Sequence, residues 1–368
     1  MTTTKKTTWS LDPHTRAKHE ILRRYLEVWT PILSLGGFLQ IAYVDGFAGP
    51  GAYSGGEDGS PIIALKAALQ HQAKIQAEVF FLFIEKEKDR AEMLRQLVEG
   101  LKLPANFRVC IVGGRTFEEG FRENLLDLYR GKQGQMPPTF AFIDPFGWTG
   151  IPFSLVKEIL SFRSCEVLIN FMYEEINRFI AHPDQEHNFD TLFGTEEWRK
   201  IAKISEKKAR REFLHGLYLD QLRGAAGARY VRSFEMRNDK DVTDYFLFFA
   251  TNSPKGMAKM KEAMWKVDQS GEFRFSDATN HAQELLFSRE PSFDALRDAL
   301  LARFAGQDAT VAEVEDFVLA ETPFRETHYK KQVLAPLERE GKISPVNPPH
   351  GRKPNTYAVP TMMLRFKP

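Results

Sequence analysis

The chain has 368 residues, 43% of them hydrophobic and 27% charged, and a formal net charge of +1. That composition excludes a disordered or low-complexity protein, and the charge balance leaves any charged partner to be named by local clusters. Two cysteines, Cys110 and Cys165, lie in apolar stretches and read as reduced core residues, which excludes a disulfide framework. No run approaches the length of a membrane span, and MTTTKKTTWSLDP lacks an apolar h-region, so no membrane association and a cytoplasmic location are expected.

Residues 1–8 are polar and read as a frayed end. A helix is predicted from Asp12-Pro13, with Asp as N-cap and Pro at the first helical position. Ile21, Leu22, Tyr25, Leu26 and Trp29 repeat at helical spacing along it. His14 and Lys18, four apart, share a face near its start. Then LQIAYVDGFAGPG gives a buried strand ending at Val44, the carboxylate Asp45, and a loop with Gly46, Gly49 and Gly51. Such a loop exposes backbone N–H groups without side-chain bulk, so a ligand can approach the main chain closely. The polar stretch AYSGGEDGSP follows and is a candidate lid or substrate loop before the helix that Pro61 opens.

The run Val79 to Ile84 is a second buried strand ending in Glu85, where a carboxylate can accept from ribose hydroxyls. A helix near 88–100 leads to a third strand, RVCIVGG, and then to Arg115, Thr116 and Phe117, placed where an adenine ring lies in this fold. Residues 118–130 read as helix. Phe140 to Ile143 form a fourth strand, which runs into Asp144-Pro145-Phe146-Gly147, and a further helix and strand end in EVLINFMYEE. Strands without a polar period, alternating with helices, predict a parallel, doubly wound α/β sheet. Three motifs, at 45–51, 85 and 144–147, fall on the carboxyl edge, where such sheets bind ligands.

Residues 174–225 read as a helical insertion. Its stretch from Arg199 to Glu212 is rich in Lys and Arg: either a solvated helix face or a backbone contact to nucleic acid. ARYVRSFEMRN and DYFLFFATN then predict paired strands that return to the sheet, covered by the helix GMAKMKEAMWKV. Beyond Glu290-Pro291 three helices are expected, the second opened by a Thr310-x-x-Glu313 capping box, then a hairpin. That order predicts a winged helix-turn-helix. Its third helix would present His328, Tyr329, Lys330 and Lys331, and its wing tip His350, Arg352 and Lys353. From Arg325 to the end there are nine Lys/Arg against three Asp/Glu, a local net of +6, which favours nucleic acid over protein contact. The expected domains are 1–290, carrying the insertion, and 291–368.

The pattern Asp-x-Phe-x-Gly-x-Gly at 45–51 resembles the first motif of S-adenosylmethionine (SAM)-dependent methyltransferases and lacks the Lys-Ser/Thr of a P-loop. Together, WSLDPHTRAKHEILRRYLEVW, YVDGFAGPGAYSGGEDGSP, FLFIEKE and FAFIDPFGW resemble the three-Cys-motif partner (TcmP) family over nearly the whole chain. The resemblance implies a Rossmann-like SAM-methyltransferase sheet with a C-terminal winged helix. It also implies work beside a radical-SAM-type protein that carries the three cysteines.

On that reading the cofactor is SAM, held by Asp45, Gly46, Phe47, Ala48, Gly49, Gly51, Glu85, Thr116 and Lys18 in an acid-lined cradle. Asp144, Pro145 and Phe146 are the candidate catalytic residues. They stand where amino-group methyltransferases carry Asp-Pro-Pro-Tyr, with Phe146 displaced by one position as the stacking ring. Cytosine-C5 chemistry is disfavoured, because neither cysteine is placed as its nucleophile. No metal site is expected. The partner is nucleic acid, DNA rather than RNA. Two alternatives remain open: a non-catalytic DNA-binding adaptor, and a nucleotide-processing enzyme using Asp45, Glu85 and Asp144 as metal ligands.

Overall fold

The apolar runs of the first half become parallel strands whose carboxyl ends finish at one level. The computed structural model describes residues 11–129, 136–270, 272–277 and 292–368. The chain divides into two compact units: Met1–Lys259 with Arg274–Ala282, and Met260–Phe273 with Gln283–Pro368.

The first unit is built on β1 (Gln40–Asp45), β2 (Glu78–Glu85), β3 (Phe107–Gly113), β4 (Thr139–Ile143), β5 (Cys165–Phe171), β6 (Tyr230–Arg237), β7 (Thr243–Thr251) and β8 (Arg274–Ser276). Their order in the sheet is β3-β2-β1-β4-β5-β7-β6-β8. β1 to β5 run parallel, and β7 runs against both β5 and β6. This is the doubly wound α/β sheet expected from the sequence. The order reverses between β1 and β4, the switch point beside which such sheets open a crevice. In register, Asp45 lies opposite both Phe83 and Phe142, so the glycine loop and the Asp144 loop leave the sheet side by side.

The long N-terminal helix, α1 (Pro13–Leu35), buries Ile21, Leu22, Tyr25, Leu26 and Trp29, the residues its spacing singles out. Asp12 and Pro13 start it, although the Asp12 side chain makes no capping hydrogen bond. α1 is tied to β5 through buried Glu166, which accepts from the Tyr25 hydroxyl at 2.5 Å, Trp29 Nε1 at 2.9 Å and the Thr251 hydroxyl at 2.7 Å. Burial raises the Glu166 carboxyl above its ordinary range, and those three donors pull it back. Alternate residues of a strand share a face, so Glu166 and Asn170 both point to the α1 side of the sheet.

The helical insertion is present as Tyr173–Phe179, Glu186–Phe193 and Lys207–Arg223. Its arginines are committed internally. Arg199 pairs with Asp190, Arg210 donates to Asn177 and to the carbonyls of Ile201 and Ile204, and Arg211 pairs with Glu235. The helix expected at 118–130 runs from Phe117 to Tyr129 through a π-turn at Arg122–Leu126, and residue 130 lies outside the described residues. So do residues 1–8.

In the second unit, helices Asp294–Phe304 and Val311–Glu321 and a third over 328–339 pack with β9 (Asp308–Thr310), β10 (Ile343–Val346) and β11 (Met363–Phe366). The strands form an antiparallel sheet in the order β10-β11-β9. Thr310 and Glu313 make the expected capping box. The return strand begins at Met363, later than the hairpin reading places it, because Tyr357 leaves the wing to bury itself against Leu334 O and Glu338. Residues Met260–Phe273 belong with this unit: buried Lys261 donates to Val318 O and Phe324 O, and Trp265 Nε1 donates to Pro323 O. No helix of the described residues is long and apolar enough to cross a membrane.

Candidate functional site

A cleft of about 450 Å³ opens at the carboxyl edge of the sheet, between the start of α1, the glycine loop, the loop after β4 and the beginning of β7. That volume is within the range of small-molecule sites. Of the residues expected from sequence, it gathers Lys18, Phe47, Ala48, Gly49, Gly51, Asp144, Pro145 and Phe146. Gly49 has φ +64°, and a Cβ built on it meets nothing within 4 Å, so the backbone there is open to close approach.

At the centre of the cleft is a polar triad. Lys18 Nζ lies 2.5 Å from Asp144 Oδ2, and Asn170 Nδ2 donates to Asp144 Oδ1 at 2.6 Å. Lys18 and Asn170 are both buried, at 5% and 3% exposure. The same lysine sits 5.3 Å from the centre of the Tyr245 ring. The neighbouring His19 is held neutral, its pKa lowered to about 3 by burial and then by the Lys18 charge. His14 bridges two carboxylates, with Nδ1 2.6 Å from Asp277 and Nε2 3.6 Å from Asp244. Burial lifts the Asp244 carboxyl to about 6. Phe146 projects, 56% exposed, beneath the Arg90 guanidinium at 5.3 Å.

The remaining cofactor residues do not line this cleft. Asp45 is fully buried beneath the loop, where its Oδ1 accepts from the Phe47 N–H at 3.2 Å. Burial pushes its carboxyl up to about 7, against hydrogen bonds from Ser60 and the Phe47 N–H. Glu85 accepts the Gly49 N–H on one oxygen and the Glu87 N–H on the other, both at 2.8 Å. It therefore braces the glycine loop, with one backbone donor held on each oxygen. Gly46 is covered: a Cβ there would stand 2.6 Å from the Phe117 ring. The Thr116 hydroxyl caps the helix Phe117–Phe121 in a capping box with Glu119. The acid-lined cradle expected from Asp45 and Glu85 is thus replaced by a cleft centred on Asp144. Among the described residues no three His, Cys, Asp or Glu side chains stand together as a metal site.

Tyr53, from the stretch AYSGGEDGSP, lines the cleft as well, and so do Asn170, Glu175, Asp244 and Tyr245, which are not among the expected site residues. Asn170 carried a signal, as a lone amide near the end of the otherwise apolar run VLINF. Asp244 and Tyr245 reach the site from a strand that doubles back, which no local pattern reveals.

In the second unit the expected nucleic-acid residues divide. Lys331 and Lys353 are exposed. Tyr329 is buried and donates its hydroxyl to Glu315 at 2.8 Å, so it belongs to the core. His328 packs against Trp265 and Phe293, and burial lowers its pKa to about 4. Lys330 is half-buried, 3.6 Å from Glu315. Arg352 is clamped on Glu338 by two hydrogen bonds of 2.9 and 2.6 Å.

The family model of the GMT-like winged helix-turn-helix domain matches residues 273–350. Among solved structures, a Legionella pneumophila protein of the DUF519 family model shares 11% identity at a TM-score of 0.39, over 69% of this chain and 92% of its own. A Klebsiella pneumoniae protein described as an O-methyltransferase shares 11% at 0.31, over 66% and 91%. A Staphylococcus aureus protein described as a caffeoyl-CoA O-methyltransferase shares 10% at 0.27, over 61% and 82%. No curated protein matches the chain.

Proposed function

We propose that the sheet-bearing unit is a SAM-dependent methyltransferase acting on nucleic acid, DNA before RNA, with the winged-helix unit as its docking module. The observation that carries this is the meeting of an open glycine loop and the Asp144-Pro145-Phe146 loop in one cleft at the switch point. The lining fits a cationic cofactor such as SAM: the open backbone at Gly49 admits it, and the carboxylates Asp12, Glu175 and Asp244 suit its sulfonium and ammonium charges. When bound, SAM supplies an electrophilic methyl group. Asp144 then accepts a hydrogen of the acceptor group, the buried triad fixes its orientation, and exposed Phe146 offers a ring for stacking. The resemblance to the TcmP family extends the proposal to a cytoplasmic protein working with a radical-SAM-type three-Cys-motif protein.

Isothermal titration of the full-length protein with SAM and with its demethylated product tests the first step. Micromolar binding is the expected result, and none at millimolar ligand rejects the proposal. A second reading, a non-catalytic DNA-binding adaptor on the same fold, is favoured by Asp45 and Glu85 lying outside the cleft lining and by Phe117 covering Gly46. SAM binding without label transfer to any nucleic acid, with or without the partner protein, selects that reading.

A further inference from the structure

Asn170 holds an unusual position. Its Nδ2 donates to the Asp144 carboxylate at 2.6 Å. A carboxylate only accepts, so this bond fixes which end of the amide faces Asp144. The amide oxygen is thereby turned away, and among the described residues nothing donates to it, although Asn170 is 3% exposed and lines the cleft. A buried amide oxygen left unmet is costly, and such groups in folded proteins call for an explanation. Beside it, Asp144 has each oxygen engaged once, by Asn170 and by Lys18, and each retains a further lone pair. Asp144 and Asn170 thus set two neighbouring acceptors in the wall of the cleft, the amide oxygen itself buried. Around them Asp12, Glu175 and Asp244 add carboxylates. That lining disfavours a phosphate or carboxylate and suits a neutral or cationic donor.

We infer that Asn170 Oδ1 and Asp144 together read an –NH₂ group, so that the acceptor in this cleft is an exocyclic amino nitrogen of a base rather than an oxygen or a ring carbon. Asn170 supplies the second acceptor that a proline carbonyl provides in the Asp-Pro-Pro-Tyr arrangement, and so answers the departure of Asp144-Pro145-Phe146-Gly147 from that pattern. The inference rests on the methyl-transfer reading for its purpose but not for its test.

The test is equilibrium binding of the full-length protein, without SAM, to duplexes carrying one base opposite an abasic site. Adenine is compared with hypoxanthine, and cytosine with uracil. Each pair exchanges an amine for a carbonyl, which the two acceptors repel. The amine member of at least one pair should bind roughly tenfold more tightly. Asn170→Leu should remove that preference while leaving the circular dichroism spectrum unchanged. Equal binding within both pairs, a preference for the carbonyl bases, or no binding of any duplex overturns the inference. Should Asn170→Leu misfold, the wild-type comparison still decides. SAM titration in parallel separates the two claims: an amine preference without SAM binding leaves the amine reader standing and rejects the methyltransferase.

Discussion

Asp45 is a carboxylate with no solvent exposure, beneath the glycine loop, and its pKa is lifted to about 7 from an ordinary 3.8. Burial is the main cause, so its charged form destabilises the fold. The sign follows from linkage. Below about pH 4 the side chain is neutral in both folded and unfolded chains, and its full contribution to stability is present. As pH rises from 4 to 7 the unfolded chain releases its proton first, and stability is lost until the folded group ionises too. A shift of about three units corresponds to about 4 kcal/mol at pH 8. Asp45→Asn keeps an acceptor for the Phe47 N–H and removes the charge. The variant should match wild type near pH 4 and exceed it at pH 8, less whatever its new amide N–H₂ loses for want of an acceptor. Urea unfolding at pH 4, 5, 6, 7 and 8, followed by circular dichroism, measures this. The difference should climb by up to about 1.4 kcal/mol per pH unit between 4 and 7. A difference that stays constant with pH would refute the argument, because a merely structural effect of the substitution has no proton to release.

Three further outcomes follow from the geometry. Lys18→Met strips the cation from a buried pair and should destabilise the fold by about 3 kcal/mol at pH 7, with Lys18→Met/Asp144→Asn recovering part of the loss; additive effects in that cycle would dissolve the pair. Arg352→Ala should lower the unfolding midpoint of the winged-helix unit, whereas Lys331→Ala and Lys353→Ala should leave it unchanged and each reduce the salt slope of DNA binding by about one. His328, with its pKa held at about 4 by burial, should add no inflection to DNA affinity between pH 6 and 8, as a pH series of anisotropy titrations would show.

The sheet was legible because its evidence is local. Each buried strand is a short apolar run, and three carboxyl ends are marked by an acid: Asp45 and Glu85 close β1 and β2, and Asp144 follows β4. The site was legible only in part, since a motif says which loop a residue occupies and not what it touches. Asp45 and Glu85 are where the pattern puts them, yet they are engaged by the protein itself, Asp45 by Ser60 and the Phe47 N–H, Glu85 by the Gly49 and Glu87 N–H groups. Asn170 stood in plain view as a polar residue in an apolar strand, but its meaning depends on Asp144, 26 positions earlier and adjacent only across the sheet.

The basic tail shows where counting charge along a sequence fails. From Arg325 onward the count gives a net +6, but a window of sequence is not a patch of surface. Arg325 pairs with Glu262, Lys330 with Glu315 and Arg365 with Asp308, all acids from outside the window, while Lys342 and Arg352 meet Glu340 and Glu338 within it. Five of the nine basic residues are thus balanced by carboxylates within 4 Å, which leaves far less positive charge for phosphate than the count implies. On the proposed docking role, affinity for DNA through this unit rests on the exposed lysines, Lys331 and Lys353 among them, and its salt dependence should be shallow, with a slope of magnitude near two to four rather than six. A slope of six or more would mean that these ion pairs open when DNA arrives and that the clamp on Arg352 yields to phosphate.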